Sequence, residues 1–311
     1  MAIKKPSELS FTNKKINMII AGVPGIGKTT LALSAPKPLL IDLDCGVSRV
    51  EAKYRTDTLQ CSSYNELIND LKQNDLTDYE TIVIDTGGKL LEMLKPVVIS
   101  ESIKNAKNDG SLSLQGYGAI KRKFKDFTEF IRALNKHLVF IFHATEVALQ
   151  NDLTGLRIRC EGSSKDEIWD DIDLGGFVEM NGNKRKISFN NCDRFYAKGT
   201  HQIHGSYDIP DLNKQTANNF LTLLFNKITE DLNNEVKEAN EYNSIMGDFR
   251  TKLAKVATAN DYNALYQESK NMPSILTAKA EINHLLKNKL KEMNLVYDKE
   301  RDLFSNAEPT K

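Results

Sequence analysis

Apolar runs of strand length recur through the first half of the chain, each separated from the next by a stretch with helical spacing. Residues 16–22 are a nearly continuous apolar run, and 38–44, 79–86 and 137–143 each carry a shorter one, as expected of strands buried on both faces of a parallel sheet. Between them, residues 28–35 read as a helix stopped by Pro36 and Pro38, and residues 64–73 as a second. Residues 89–104 read as a third helix, with Pro96 as a possible break or kink. Residues 105–118 have the composition of a loop. Residues 119–135 form an amphipathic helix with Phe124, Phe127, Ile131 and Leu134 on one face. The stretch 144–173 is polar and less regular, a hairpin is expected around 181–183, and a strand running into a loop follows at 194–205. Strands alternating with helices predict an α/β fold with a mostly parallel central sheet, whose ligands bind outside the carboxyl ends of the strands.

From about Phe220 the pattern changes. Residues 229–311 are rich in Lys, Glu and Asn and carry apolar residues at helical spacing, among them Ile282, Leu285, Leu286 and Met293. The expected organisation is a core domain over 1–228 and a helical C-terminal extension over 229–311. The apolar stripes of the extension suit a small helical core, a docking surface for a protein partner or an oligomerisation surface.

Charge and cysteine usage narrow the partners. The chain of 311 residues carries 42 Lys and Arg against 42 Asp and Glu. A constitutive, tight nucleic-acid binder usually has a basic excess, so any such binding here is local, weak or switched. Cys45, Cys61, Cys160 and Cys192 are scattered without a CxxC pair, which favours a reducing compartment over a disulfide frame. No apolar stretch approaches bilayer length and no signal-peptide pattern opens the chain. The expectation is a cytoplasmic protein without a membrane partner.

The stretch GVPGIGKTT follows the first strand and opens the first helix. Gly22, Val23, Pro24, Gly25, Ile26, Gly27, Lys28, Thr29 and Thr30 fit GxxxxGK[ST], the loop whose backbone N–H groups cradle phosphate at a helix N-terminus. Lys28 is placed to reach the β- and γ-phosphates and Thr29 to ligate Mg²⁺, so ATP and Mg²⁺ are the expected cofactors. Asp85 closes the third strand and is the expected partner of the metal, a capping aspartate being the plain alternative. The residue after Asp85 is Thr86, so the acidic pair common in AAA+ ATPases is missing. A water-activating base must come from elsewhere, and Asp42 and Asp44 at the end of the neighbouring strand are the source, with alternation placing both on one face.

A phosphate loop, then a strand ending in IDLD, then TIVIDT resembles the RecA-like P-loop ATPases. QGYG, LVFIFH and FYAKGTH extend the resemblance to the phage-encoded members that serve as single-strand annealing or recombination proteins. The resemblance spans roughly residues 15–225. It implies Asp44 as the catalytic carboxylate, where glutamate is usual, and His143 as the polar γ-phosphate sensor. It implies that Lys198 reaches a neighbouring subunit's nucleotide, although Thr200 stands where an arginine is frequent. A strand-end histidine and a solvated lysine are the bland alternatives.

Candidate contacts to single-stranded DNA are Lys107 and Tyr117 in the first loop and Arg157, Arg159, Lys165 and Trp169 in the second, since cations beside aromatic rings suit backbone tracking and base stacking. Lys121, Arg122 and Lys123 form a further basic cluster, or a solvated helix face. The resulting expectation is a DNA-stimulated ATPase assembled as a ring or filament. The alternatives are a replication or packaging motor or loader, a nucleotide-dependent switch, and a kinase.

Overall fold

The computed structural model describes residues 9–11, 13–148, 154–160, 168–213, 217–299 and 301–306. The chain divides into two compact units, Asn13–Thr229 and one made of Glu230–Lys311 with Met1–Thr12.

The first unit is built on a nine-stranded sheet. In chain order its elements are β1 (Asn17–Gly22), α1 (Lys28–Ala32), β2 (Pro38–Asp42), β3 (Thr58–Leu59), α2 (Tyr64–Gln73) and β4 (Thr81–Asp85). There follow α3 (Gly87–Glu101), α4 (Leu114–Ala133), β5 (His137–Ala148), β6 (Thr154–Ile158), β7 (Leu174–Asn181), β8 (Lys184–Ser188) and β9 (Ser206–Asp208). The order across the sheet is β3-β2-β4-β5-β1-β7-β8-β9, with β6 paired to β5 off this path. The strands from β3 to β7 along it run parallel, and β8 and β9 are antiparallel additions. Every residue of β1 and β4 is buried, which is why their sequences are apolar without alternation. On one face Ile19, Ala21, Ile84, Phe140 and Phe142 pack with Leu67, Leu90, Leu94, Phe124 and Phe127 of α2, α3 and α4 in a single core. This is a mostly parallel α/β sheet with helices packed against it.

Several elements depart from the sequence reading. β2 ends at Asp42, so Asp42 and Asp44 do not share a strand face. α4 begins at Leu114, capped by the Ser113 hydroxyl accepting from Gly116 N, and Tyr117 therefore lies on a helix. The glycine that suggested a loop has another cause: a Cβ on Gly116 would meet the Asn105 carbonyl at 2.3 Å. α3 continues through Pro96. β5 extends to Ala148 and pairs with β6, so part of the supposedly irregular stretch is regular. Residues 194–205 form no strand; they meet the sheet through the bridge between Gly175 and Lys198, through the Leu156 N–H donating to the Arg194 carbonyl, and through the Phe195 ring stacked on Phe177.

α5 (Phe220–Ala254) starts in the first unit and its residues from Glu230 on belong to the second. The second unit continues with α6 (Ala259–Lys270), α7 (Ala278–Glu292), β10 (Leu295–Asp298) and β11 (Leu303–Asn306). Thr258 and Asp261 form a reciprocal capping box at the start of α6. Met246, Phe249, Tyr262, Leu265, Ile282 and Leu286 make a separate core. The unit is thus not wholly helical: β10 and β11 pair as an antiparallel hairpin, and Asn263 fastens β11 through two bonds to Phe304.

Candidate nucleotide site

The loop from Val23 to Gly27 joins β1 to α1 at the carboxyl end of the sheet. Gly25 and Gly27 have φ of 80° and 88°, a left-handed backbone that glycine adopts without steric cost. Gly22 is pressed against β7, where an added Cβ would lie 2.7 Å from the Val178 carbonyl oxygen. Val23, Pro24 and Gly25 are exposed while Lys28 is buried. The Thr30 carbonyl accepts from Asn218 Nδ2 at 2.8 Å, which ties the first turn of α1 to the segment before α5.

Lys28 folds back over the loop and its Nζ donates to the Val23 carbonyl at 2.8 Å. Burial pushes its pKa down to about 8, against the pull of Asp85 and Asp44. Thr29 Oγ1 donates to Asp85 Oδ2 at 2.7 Å. Burial raises the Asp85 carboxyl to about 6; the Thr29 bond opposes this, while Asp44 and Asp42 add to it. Thr86 is taken up in structure, since its hydroxyl caps α3 by accepting from Lys89 N.

The two further aspartates have different surroundings. Asp42 is 1% exposed and accepts from Gly46 N, Val47 N and Gln60 Nε2 at 2.8, 3.0 and 2.9 Å. Asp44 follows in the turn that Asp42 organises. Its Oδ2 pairs with Arg49 at 2.9 Å, and its Oδ1 is buried with no hydrogen-bond partner among the described residues.

A divalent cation fits this donor set. Thr29 and Asp85 offer hard oxygen ligands, already 2.7 Å apart beside the phosphate loop. When bound, Mg²⁺ would neutralise charge on the phosphates.

His143, on β5, has a buried Nδ1 without a partner among the described residues. Burial, then the charge of Lys28, depresses its pKa, so the ring is neutral near pH 7. It lines a cavity of about 350 Å³ together with Thr86, Lys89, Lys95, Tyr117 and Arg159. The structure therefore brings together Tyr117, His143 and Arg159 from separate stretches of sequence, Arg159 lying beside His143 because its N–H donates to the His143 carbonyl.

Other candidates stand elsewhere. Arg157 donates to the carbonyls of Leu156 and Arg194. Lys107 is exposed on the tight turn closed by the Ala106–Leu112 bridge, and Lys123 pairs with Glu101. Lys198 Nζ donates to the Trp169 and Asp170 carbonyls at 2.9 and 3.3 Å. Trp169 is core, not a stacking platform: it is 4% exposed and occupies the space left by Gly175. Lys165 lies outside the described residues. Lys89 and Lys95 of the cavity, and Arg185 against the loop, went unnoticed in the sequence because lysine and arginine on a helix or strand carry no local signal of what they face.

Fold and loop together define a P-loop ATPase of the α/β class. Residues 14–201 match the family described as AAA domain, and the chain belongs to that family. Among solved structures, a KaiC-like protein from the hyperthermophilic archaeon Pyrococcus horikoshii OT3 is similar at 10% identity. The similarity covers 63% of this chain and 89% of that one, with a TM-score of 0.37. No curated protein sequence matches the chain.

Proposed function

We propose that the protein is a Mg²⁺-dependent ATPase that acts on single-stranded DNA, in recombination or annealing of the phage type, as a homo-oligomer. The carrying observation is the position of His143, which feels the charge of Lys28 on one side and lines the cavity with Arg159, Lys89 and Tyr117 on the other. A neutral imidazole there offers a hydrogen bond to the phosphate end of the nucleotide site and shares a wall with cations and a ring suited to a DNA strand. Lys28 and the loop amides hold the phosphates, Thr29 and Asp85 hold the metal, and Asp44 accepts a proton from the attacking water. Lys198 acts on a neighbouring subunit's nucleotide by exchanging its two carbonyl partners for phosphate. Net neutrality agrees with DNA binding that forms only when subunits align their small basic surfaces.

A replication or packaging motor or loader is the second reading, favoured by the exposed Leu276, Val296 and Leu303 of the second unit as a surface for a protein partner. The test is the ATPase rate with single-stranded DNA, duplex DNA and no DNA. Stimulation chiefly by single strands supports the first reading, stimulation chiefly by duplex supports the second, and indifference to DNA removes both.

A further inference from the structure

Arg185 enters the nucleotide site from the far side of the P-loop. A Cβ on Gly27 would meet its Nη1 and would lie 3.5 Å from its Cζ, so the guanidinium stands over Gly27, the last glycine of the phosphate loop, whose N–H groups favour an anion.

Register explains how it gets there. β8 pairs with β7 so that Arg185 faces Met180 and Ile187 faces Val178, and Val178 is the neighbour of Gly22 at the end of β1. Arg185 therefore points to the face on which Gly22 meets Val178. Its neighbours Lys184 and Lys186, on the opposite face, both pair with Asp208. Arg185 is half-buried, and its guanidinium makes no hydrogen bond or ion pair among the described residues. A half-buried arginine normally finds an anion, and the phosphate cradle is the anion site it adjoins.

The sheet order indicates which phosphates. Asp85 ends β4, His143 lies on β5 and Asp44 follows β2, all on one side of β1. Lys28 is coupled to Asp85 and Asp44 on that side, which makes it the γ-phosphate and metal end. β8 lies on the other side of β1. We infer that Arg185 is a ligand, from the same chain, of the α- and β-phosphates of the bound nucleotide, an inference that rests on the nucleotide reading of the loop. The guanidinium offers two parallel N–H donors to a phosphate, and because it is directed away from the γ position it holds ADP as firmly as ATP.

The experiment is calorimetric titration of the full chain, in Mg²⁺, with ADP and with a non-hydrolysable ATP analogue, for the parent, Arg185→Ala and Arg185→Lys. A charge-assisted bond of this kind predicts that Arg185→Ala weakens both ligands by a similar factor of about tenfold or more, with Arg185→Lys in between. Weakening of the triphosphate alone would move Arg185 to the γ end and overturn the inference. Unchanged affinity for both, with a lowered melting temperature of the free protein, would make it a structural side chain and also overturn it. Should Arg185→Ala fail to fold by circular dichroism, Arg185→Gln replaces it in the same comparison. A parent protein that binds neither ligand refutes the nucleotide reading itself, whereas a parent that binds both and variants that match it refute only the role of Arg185.

Discussion

Asp42→Asn and Asp44→Asn each remove one negative charge, two residues apart, and the surroundings of the two carboxylates predict opposite phenotypes. Asp42 Oδ1 accepts from Gly46 N, and its Oδ2 accepts from both Val47 N and Gln60 Nε2. An asparagine can keep the Gly46 bond, but its NH₂ then faces the Val47 N–H. Gln60 can turn its own amide to offer an oxygen, while the backbone cannot. The variant thus loses one charge-assisted bond and leaves a buried donor against a donor, a cost of about 2–3 kcal/mol. For a unit the size of Asn13–Thr229 this corresponds to a melting temperature lower by roughly 5–10 °C. Asp44 gives up an ion pair with the exposed Arg49, worth less than about 1 kcal/mol, and its buried Oδ1 has no protein partner to lose among the described residues. Asp44→Asn should therefore melt close to the parent, bind ATP, and hydrolyse it at least about 100-fold more slowly, the contribution of a positioned base. The assays are thermal unfolding by circular dichroism, nucleotide titration and phosphate release. Normal hydrolysis by Asp44→Asn would refute the base assignment, and a parent-like melting temperature for Asp42→Asn would refute the view of Asp42 as the anchor of this turn.

Three further outcomes are expected. His137 is 6% exposed and accepts the Ile16 N–H on Nδ1, and burial pushes its pKa down to about 4. The unfolded chain therefore binds the extra proton first, so stability is present above about pH 6.5 and is lost as pH falls towards 4, by about 3 kcal/mol in all. In urea unfolding across that range, His137→Asn should lose this part of the slope, and parallel pH profiles for parent and variant would refute it. Gly22→Ala forces a Cβ to 2.7 Å from the Val178 carbonyl and should cost about 2 kcal/mol together with nucleotide affinity, read by denaturation and titration. His143→Ala should keep ATP binding but lose the difference in ATPase rate between DNA-bound and DNA-free protein; retained stimulation would remove His143 from the coupling.

Much of the fold was legible because its signals are local. Buried parallel strands must be apolar throughout, so β1, β2, β4 and β5 declared themselves, and the glycines of the loop are required by backbone angles that no other residue adopts comfortably. The misread elements are those in which a neighbour decides. Gly116 is glycine because the Asn105 carbonyl comes close, not because the chain turns there, and the start of α4 was hidden behind it. Pro96 leaves α3 uninterrupted. The hairpin of β10 and β11 is held in part by Asn263, a contact between residues far apart in sequence.

By itself the sequence determined the alternation of strands and helices, the phosphate loop and the aspartate that ends β4, since each rests on spacing within a dozen residues. Tertiary structure alone decided which of the two aspartates at the end of β2, Asp42 and Asp44, is held by hydrogen bonds and which keeps an unpartnered oxygen among the described residues, since that depends on how the chain turns after the strand. It likewise decided that Tyr117 and Arg159 share a cavity with His143 while Trp169 is core, and that an arginine on β8 stands over Gly27. Side-chain environment is a property of pairing and packing between distant segments, and strand order, which no single stretch encodes, sets it.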